Sequence, residues 1–139
     1  MINRVLDLQN LTVRQITTPL HKTVMVSTET PVGEALGIAR ERGFDRLPVW
    51  RSEGRHQRIA GLLSLRSLLY GGTLDEKKRA GDLIKPALYL DEEMLLEVAL
   101  RLMQRTGQRL AIVLAGDRTE MGVVSLQDIL KVIFGEVRL

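Results

Sequence analysis

"PVGEALGIARERGFDRLPVW" (residues 31–50) lies over "LLEVALRLMQRTGQRLAIVL" (residues 95–114) without a gap, at an offset of 64. A repeat of this kind governs the reading of the whole chain, because each copy is one structural unit stacked on a second. Val32, Ala35, Leu36 and Ala39 stand over Leu96, Ala99, Leu100 and Met103. Both sets follow the i, i+3, i+4, i+7 spacing of one buried helical face. Thr30 followed by Pro31 predicts an N-cap and a first helical residue. Asp91, Glu92 and Glu93 predict the start of the second helix, since carboxylates favour the positive end of the helix dipole. Gly43 and Gly107, also matched, suit the left-handed residue that ends a helix.

Outward from these helices the pattern continues in parallel. The apolar runs "RLPVW" (46–50) and "RLAIVLA" (109–115) predict buried strands. Polar loops follow, "RSEGRHQ" (51–57) and "GDRTE" (116–120), then second strands "RIAGLL" (58–63) and "EMGVV" (120–124). Second helices are predicted from Ser64 and from Ser125. Before each long helix lies an extended piece, "TVMV" (23–26) or "ALYL" (87–90), preceded by a helical turn ending near Pro19 or Pro86. Each repeat therefore reads turn-β-α-β-β-α. A unit of this size leaves much apolar surface exposed, so two must pack together. The expected architecture is mixed α/β (α+β): one repeat over 11–72, a linker at 73–78 and a second repeat over 79–137. The stretch "GGTLDEKKRAG" (71–81) has the glycine and charge of an exposed connection.

Composition narrows the functional classes. With 20 basic and 17 acidic residues, the net charge is only +3 and the charges are interspersed. Nucleic-acid binding calls for a clustered basic stripe and stacking aromatics, and the chain has one Trp, two Tyr and two Phe. The charged runs 51–58 and 77–79 read as solvated loops. The absence of cysteine excludes disulfides, a thiol nucleophile and thiolate metal ligation. The opening "MINRVLDLQN" lacks the apolar core of a signal peptide. No uncharged stretch approaches the ~20 apolar residues of a membrane helix. A soluble, cytoplasmic chain is expected.

The candidate chemistry lies in two near copies, "GLLSLRSLL" (61–69) and "GVVSLQDIL" (122–130). Asp128 in the second replaces Ser67 in the first. Ser125 falls where a strand becomes a helix, so its hydroxyl and the free N–H groups of the first turn can donate to a phosphate. Asp128, one turn inside, would repel phosphate and is suited to accepting bonds from ribose hydroxyls. "SLQD" also matches the Ser-x-x-acid capping box, which requires no ligand. Both readings stand on the residues alone.

A β-α-β-β-α repeat with "RLPV" on its middle strand, then Gly-x-x-Ser-x-x-Asp into a helix, resembles a CBS domain. Two in tandem form a Bateman module. "LTVRQITTP", "GFDRLPVW", "LIKPALYL", "RLAIVLAGD" and "GVVSLQDILKVIFGEV" are similar to the CBS pair of CorC/HlyC-type transport proteins, whose animal relatives are the cyclin M magnesium transport mediators. The resemblance spans about residues 11–137. It implies a regulatory module without enzymatic activity, on the cytoplasmic side of an attached membrane transport domain, with an adenine nucleotide (ATP, ADP or AMP) in the cleft between repeats. Mg²⁺, where present, would be held chiefly by the phosphates.

The resemblance further assigns Ser125 and Asp128 to phosphate and ribose, and Thr18, Phe44, Asp45, Arg46 and Pro48 to positions flanking base and phosphates. Arg46 would supply fixed positive charge and Phe44 an apolar face for adenine. A turn threonine, a core-edge phenylalanine and a surface arginine are the structural alternatives. Three departures from the family pattern matter. Ser67 replaces an aspartate, which predicts a weak or empty twin site. Asp45 stands where relatives often carry serine or threonine, beside the phosphate path. "TTP" replaces the more usual "MTP". The apolar Val132, Ile133 and Phe134 suit either a homodimer contact, common for such helices, or burial within the pair. His21 and His56 lack metal-ligand spacing, and no serine has a nucleophile-elbow setting.

Overall fold

A computed structural model describes residues 9–70, 75 and 77–135. Half of the predicted linker (73, 74 and 76) and the expected ends of the first repeat (71 and 72) and of the second (136 and 137) lie outside the described residues. The chain is mixed α+β. Among the described residues, seven strands and four named α-helices are distributed over two compact units, Val24–Ala87 and the pair of segments Met1–Thr23 with Leu88–Leu139.

The Val24–Ala87 unit contains β2 (Val26–Ser27), helix α1 (Val32–Arg42), β3 (Arg46–Glu53), β4 (His56–Ser64) and helix α2 (Leu65–Tyr70). Its sheet runs β2-β3-β4, the first pair parallel and the second antiparallel. Val32, Ala35, Leu36 and Ala39 are all buried and pack with Val26, Leu47, Val49, Leu63 and Leu68. The helical period read from the sequence is thus the face that meets the sheet. Gly43 closes α1 in the left-handed region at φ 74°, where a Cβ would be strained.

The other unit contains β1 (Thr18–Pro19), β5 (Leu88–Asp91), helix α3 (Leu96–Thr106), β6 (Leu110–Leu114), β7 (Glu120–Ser125) and helix α4 (Leu126–Gly135). Its sheet has the order β1-β7-β6-β5. Leu96, Ala99, Met103, Ala111, Val113, Val124 and Ile129 form the buried centre, with Leu100 half-buried at its edge. Gly107, at φ 71°, ends α3 as Gly43 ends α1. A β-bulge follows Val49 in one sheet and Val113 in the other, positions again related by 64.

Several expectations are corrected. Neither Thr30 nor the Asp91–Glu93 cluster caps a long helix. Both helices start later, at Val32 and Leu96, with no side-chain cap. Their first N–H groups are satisfied by backbone: Val32 donates to the Lys78 carbonyl at 2.7 Å and Leu96 to the Leu11 carbonyl at 3.0 Å. Buried backbone donors require some partner, and here each helix takes it from the segment at the start of the other repeat. The end of "GGTLDEKKRAG" is therefore structural: Ala80 is fully buried and donates to the Thr30 carbonyl at 2.7 Å. Thr30 instead accepts at its hydroxyl from the Ser27 N–H, and the Asp91 carboxylate accepts from the Glu93 N–H.

The run 51–58 is not a loop. β3 and β4 continue through it to a tight turn at Gly54, whose φ is 63°. Arg51 and Arg58 are register partners there. The first extended piece shrinks to Val26–Ser27, while the second is Leu88–Asp91. At the β6–β7 turn, the Thr119 hydroxyl donates to Asp117 Oδ1 at 2.6 Å and holds that carboxyl below its ordinary range. Among the described residues, no helix is long and apolar enough to cross a membrane.

Candidate functional site

Gly122 explains how the first elements of the site meet. β1 lies antiparallel to β7, with Thr18 opposite Val123 and Pro19 opposite Gly122. A Cβ at position 122 would run into the Thr18 carbonyl and come within 2.6 Å of Thr17 Cγ2. Only glycine lets the Thr18 backbone lie this close to β7. Thr18 is thereby fixed beside the strand that ends in Ser125. Gly61 does the same for Lys85, whose carbonyl would lie 2.6 Å from a Cβ there. The glycine shared by "GLLSLRSLL" and "GVVSLQDIL" thus serves the approach of a neighbouring backbone segment, β1 at Gly122 and the isolated bridge of Lys85 at Gly61.

Ser125 ends β7 opposite Leu110 and precedes α4. Its hydroxyl accepts from the Asp128 N–H at 3.0 Å. In return, the Ser125 N–H donates to Asp128 Oδ2 at 3.5 Å, the long limit of such a bond. This is the capping box. The half-buried Asp128 is engaged through one oxygen, and Oδ1 meets no donor among the described residues. The carboxylate is held at the helix start with acceptor capacity remaining, which is what recognition of vicinal hydroxyls requires. In the twin, Ser64 accepts from the Ser67 N–H at 3.3 Å, and Ser67 has no carboxylate to return the bond.

Phe44, Asp45, Arg46 and Pro48 belong to the Val24–Ala87 unit. The Phe44 N–H closes α1 by donating to the Ala39 carbonyl at 2.8 Å, while its ring remains exposed. The Asp45 carbonyl accepts from the Leu65 N–H at 2.8 Å, anchoring the start of α2. Arg46 opens β3 opposite Ser64, and its NH1 contacts Asp45 Oδ2 at 3.0 Å. Pro48 is buried within β3 opposite Leu62. The structure thus brings Thr18, Ser125 and Asp128 together in one unit and Phe44 to Pro48 together in the other.

One residue escaped the sequence reading. Arg109 occupies the place in its unit that Asp45 has in the other, and its carbonyl accepts from the Leu126 N–H at 2.8 Å. Its exposed side chain is a cation at the helix start that carries Ser125 and Asp128. The offset of 64 places Arg109 under Asp45, and that pairing was the available signal. No cluster of three metal-ligating side chains occurs among the described residues.

The chain resembles the UPF0053 protein Rv2366c of Mycobacterium tuberculosis, 25% identical over 99% of this chain and 32% of that protein. The UPF0053 protein YugS of Bacillus subtilis is 23% identical, with the same coverage. The chain thus spans about a third of the length of these relatives. Among solved structures, the CBS domain of a bacterial CNNM/CorC family Mg2+ transporter in complex with ATP superposes with a TM-score of 0.82. It is 29% identical, and the match covers 96% of this chain and 94% of that one. The CBS domain profile matches residues 13–71 and again 80–135, so this chain belongs to the CBS domain family and carries the domain twice.

Proposed function

We propose that this chain is the regulatory, adenine-nucleotide-binding CBS pair of a CorC/HlyC-type divalent-cation transport protein, placed on the cytoplasmic side of its membrane domain. The observation that carries this reading is Asp128, held at the start of α4 by Ser125 with an acceptor oxygen uncommitted. The likeness to an ATP-bound CBS domain supports the choice of ligand class. In this reading Asp128 accepts from the ribose hydroxyls. Ser125 and the first N–H groups of α4 donate to phosphate, aided by the helix dipole. Thr18, paired with β7, flanks the base. Ligand binding shifts the module between conformations only in so far as those conformations differ in affinity.

A second reading is a homodimerisation module whose sites are empty. It is favoured by the capping box, which gives Asp128 a structural role, and by Phe134, 64% exposed on α4. Thermal melting separates the two, because a ligand that binds only the folded state raises the melting temperature. The nucleotide reading expects millimolar ATP, ADP or AMP to raise it for the wild type and not for Asp128→Ala. An unchanged wild-type melting curve with all three nucleotides favours the empty module.

A further inference from the structure

We infer that residues 11–19 form a ligand-responsive strap, which nucleotide at the Asp128 site locks down and whose release frees the nucleotide; this rests on the nucleotide reading proposed above. The strap is held to its unit at a helix start, in the core and along β7. At the start of α3, the Leu11 carbonyl accepts from the Leu96 N–H at 3.0 Å. There too the Val13 and Arg14 N–H groups donate to the Met94 and Glu92 carbonyls at 2.8 and 3.0 Å. In the core, Val13 is fully buried in one cluster with Val124 and Ile129, and Leu11 and Ile16 pack at its edge. Along β7, Thr18 and Pro19 pair with Val123 and Gly122. The Thr17 hydroxyl donates to the Val13 carbonyl at 2.8 Å and closes the turn between core and strand.

The core and strand attachments adjoin the site. Val123 lies just before Ser125 on β7, and Ile129 follows Asp128 on α4. A nucleotide held by Ser125 and Asp128, with Thr18 beside its base, bridges the strap and the two elements the strap grips. Such a ligand binds the docked strap in preference to the open one, and that difference in affinity shifts the equilibrium towards docking. The coupling is reciprocal: a pull on the chain ahead of Leu11 weakens nucleotide binding by the factor with which nucleotide opposes the pull.

The other unit contains a matched strap. Ala80 and Gly81 donate to the Thr30 and Thr28 carbonyls, and the Lys78 carbonyl accepts from the Val32 N–H, each bond the counterpart of one above. Lys85 bridges to Leu62 as Thr18 pairs with Val123. Ser67 stands there in place of Asp128. The straps thus share their backbone anchors and differ in the carboxylate, which confines the response to residues 11–19.

The test is hydrogen exchange at the amides of Val13, Arg14 and Leu96 against those of Ala80, Gly81 and Val32. AMP or ATP is added at about ten times the Kd found by calorimetry, where opening of a strap that alone permits binding is suppressed ~10-fold. The first set should therefore exchange ~10-fold more slowly and the second at an unchanged rate. Asp128→Ala, checked by its melting curve, should lose most of that slowing at the same nucleotide concentrations. The two straps are compared within one molecule, so the wild type alone decides the outcome even where the variant does not fold. Equal slowing of both sets, or none while calorimetry records binding, overturns the inference and leaves the nucleotide reading intact. If calorimetry records no binding at millimolar nucleotide, the nucleotide reading fails and takes the inference with it.

Discussion

The helix starts at Ser64 and Ser125 share a scaffold and differ in their chemistry. In both units a serine hydroxyl accepts from the N–H three residues on. In both, the first helical N–H donates to a carbonyl from the long helix's exit, Asp45 or Arg109. A glycine three residues before each serine admits a neighbouring backbone. The deeper frame repeats as well. Val13 and Ala80, both fully buried, donate to the carbonyls of Met94 and Thr30. Charge is what differs: Asp128 against Ser67, Arg109 against Asp45 and Leu110 against Arg46. Repetition therefore reports what the fold needs, and the proposed nucleotide site rests on one of the departures from it, Asp128.

The largest expected effects test the shared part. Gly122→Ala forces a Cβ onto the Thr18 backbone, and Gly61→Ala places one 2.6 Å from the Lys85 carbonyl. Overpacking against backbone should cost about 3 kcal/mol at Gly122 and about 2 kcal/mol at Gly61, read from urea unfolding. Near-neutral results at both would remove close strand approach as the reason for glycine. The cap substitutions come next: Ser64→Ala and Ser125→Ala should each cost about 1 kcal/mol, in line with loss of a helix N-cap. They should part company in nucleotide titrations, where only Ser125→Ala weakens binding. A matching loss in Ser64→Ala would break the asymmetry between the units.

Much of this was legible in the sequence because it depends on local patterns. The apolar face of α1 follows from the spacing of Val32, Ala35, Leu36 and Ala39, and the left-handed ends from Gly43 and Gly107. The helix starts were misread because their partners are remote. Lys78 and Leu11 cap Val32 and Leu96 through backbone, which leaves no side-chain signature. The hairpin through 51–58 was missed because polar residues occupy strands extending beyond the core, where alternation no longer reports burial. At the site, the dual nature of "SLQD" was visible beforehand. The tether from Ser125 N–H to one Asp128 oxygen needed coordinates. So did the pairing of Arg46 with its own neighbour.

The most direct measurement is the stoichiometry of nucleotide binding, by titration calorimetry of the wild type, Asp128→Ala and Ser67→Ala. One functional site and one degenerate twin predict one adenine nucleotide per chain in the wild type and in Ser67→Ala. In Asp128→Ala, affinity should fall at least ~10-fold, as for loss of about 1.4 kcal/mol of charge-assisted hydrogen bonding. Two nucleotides per chain, or identical affinity in wild type and Asp128→Ala, would contradict it.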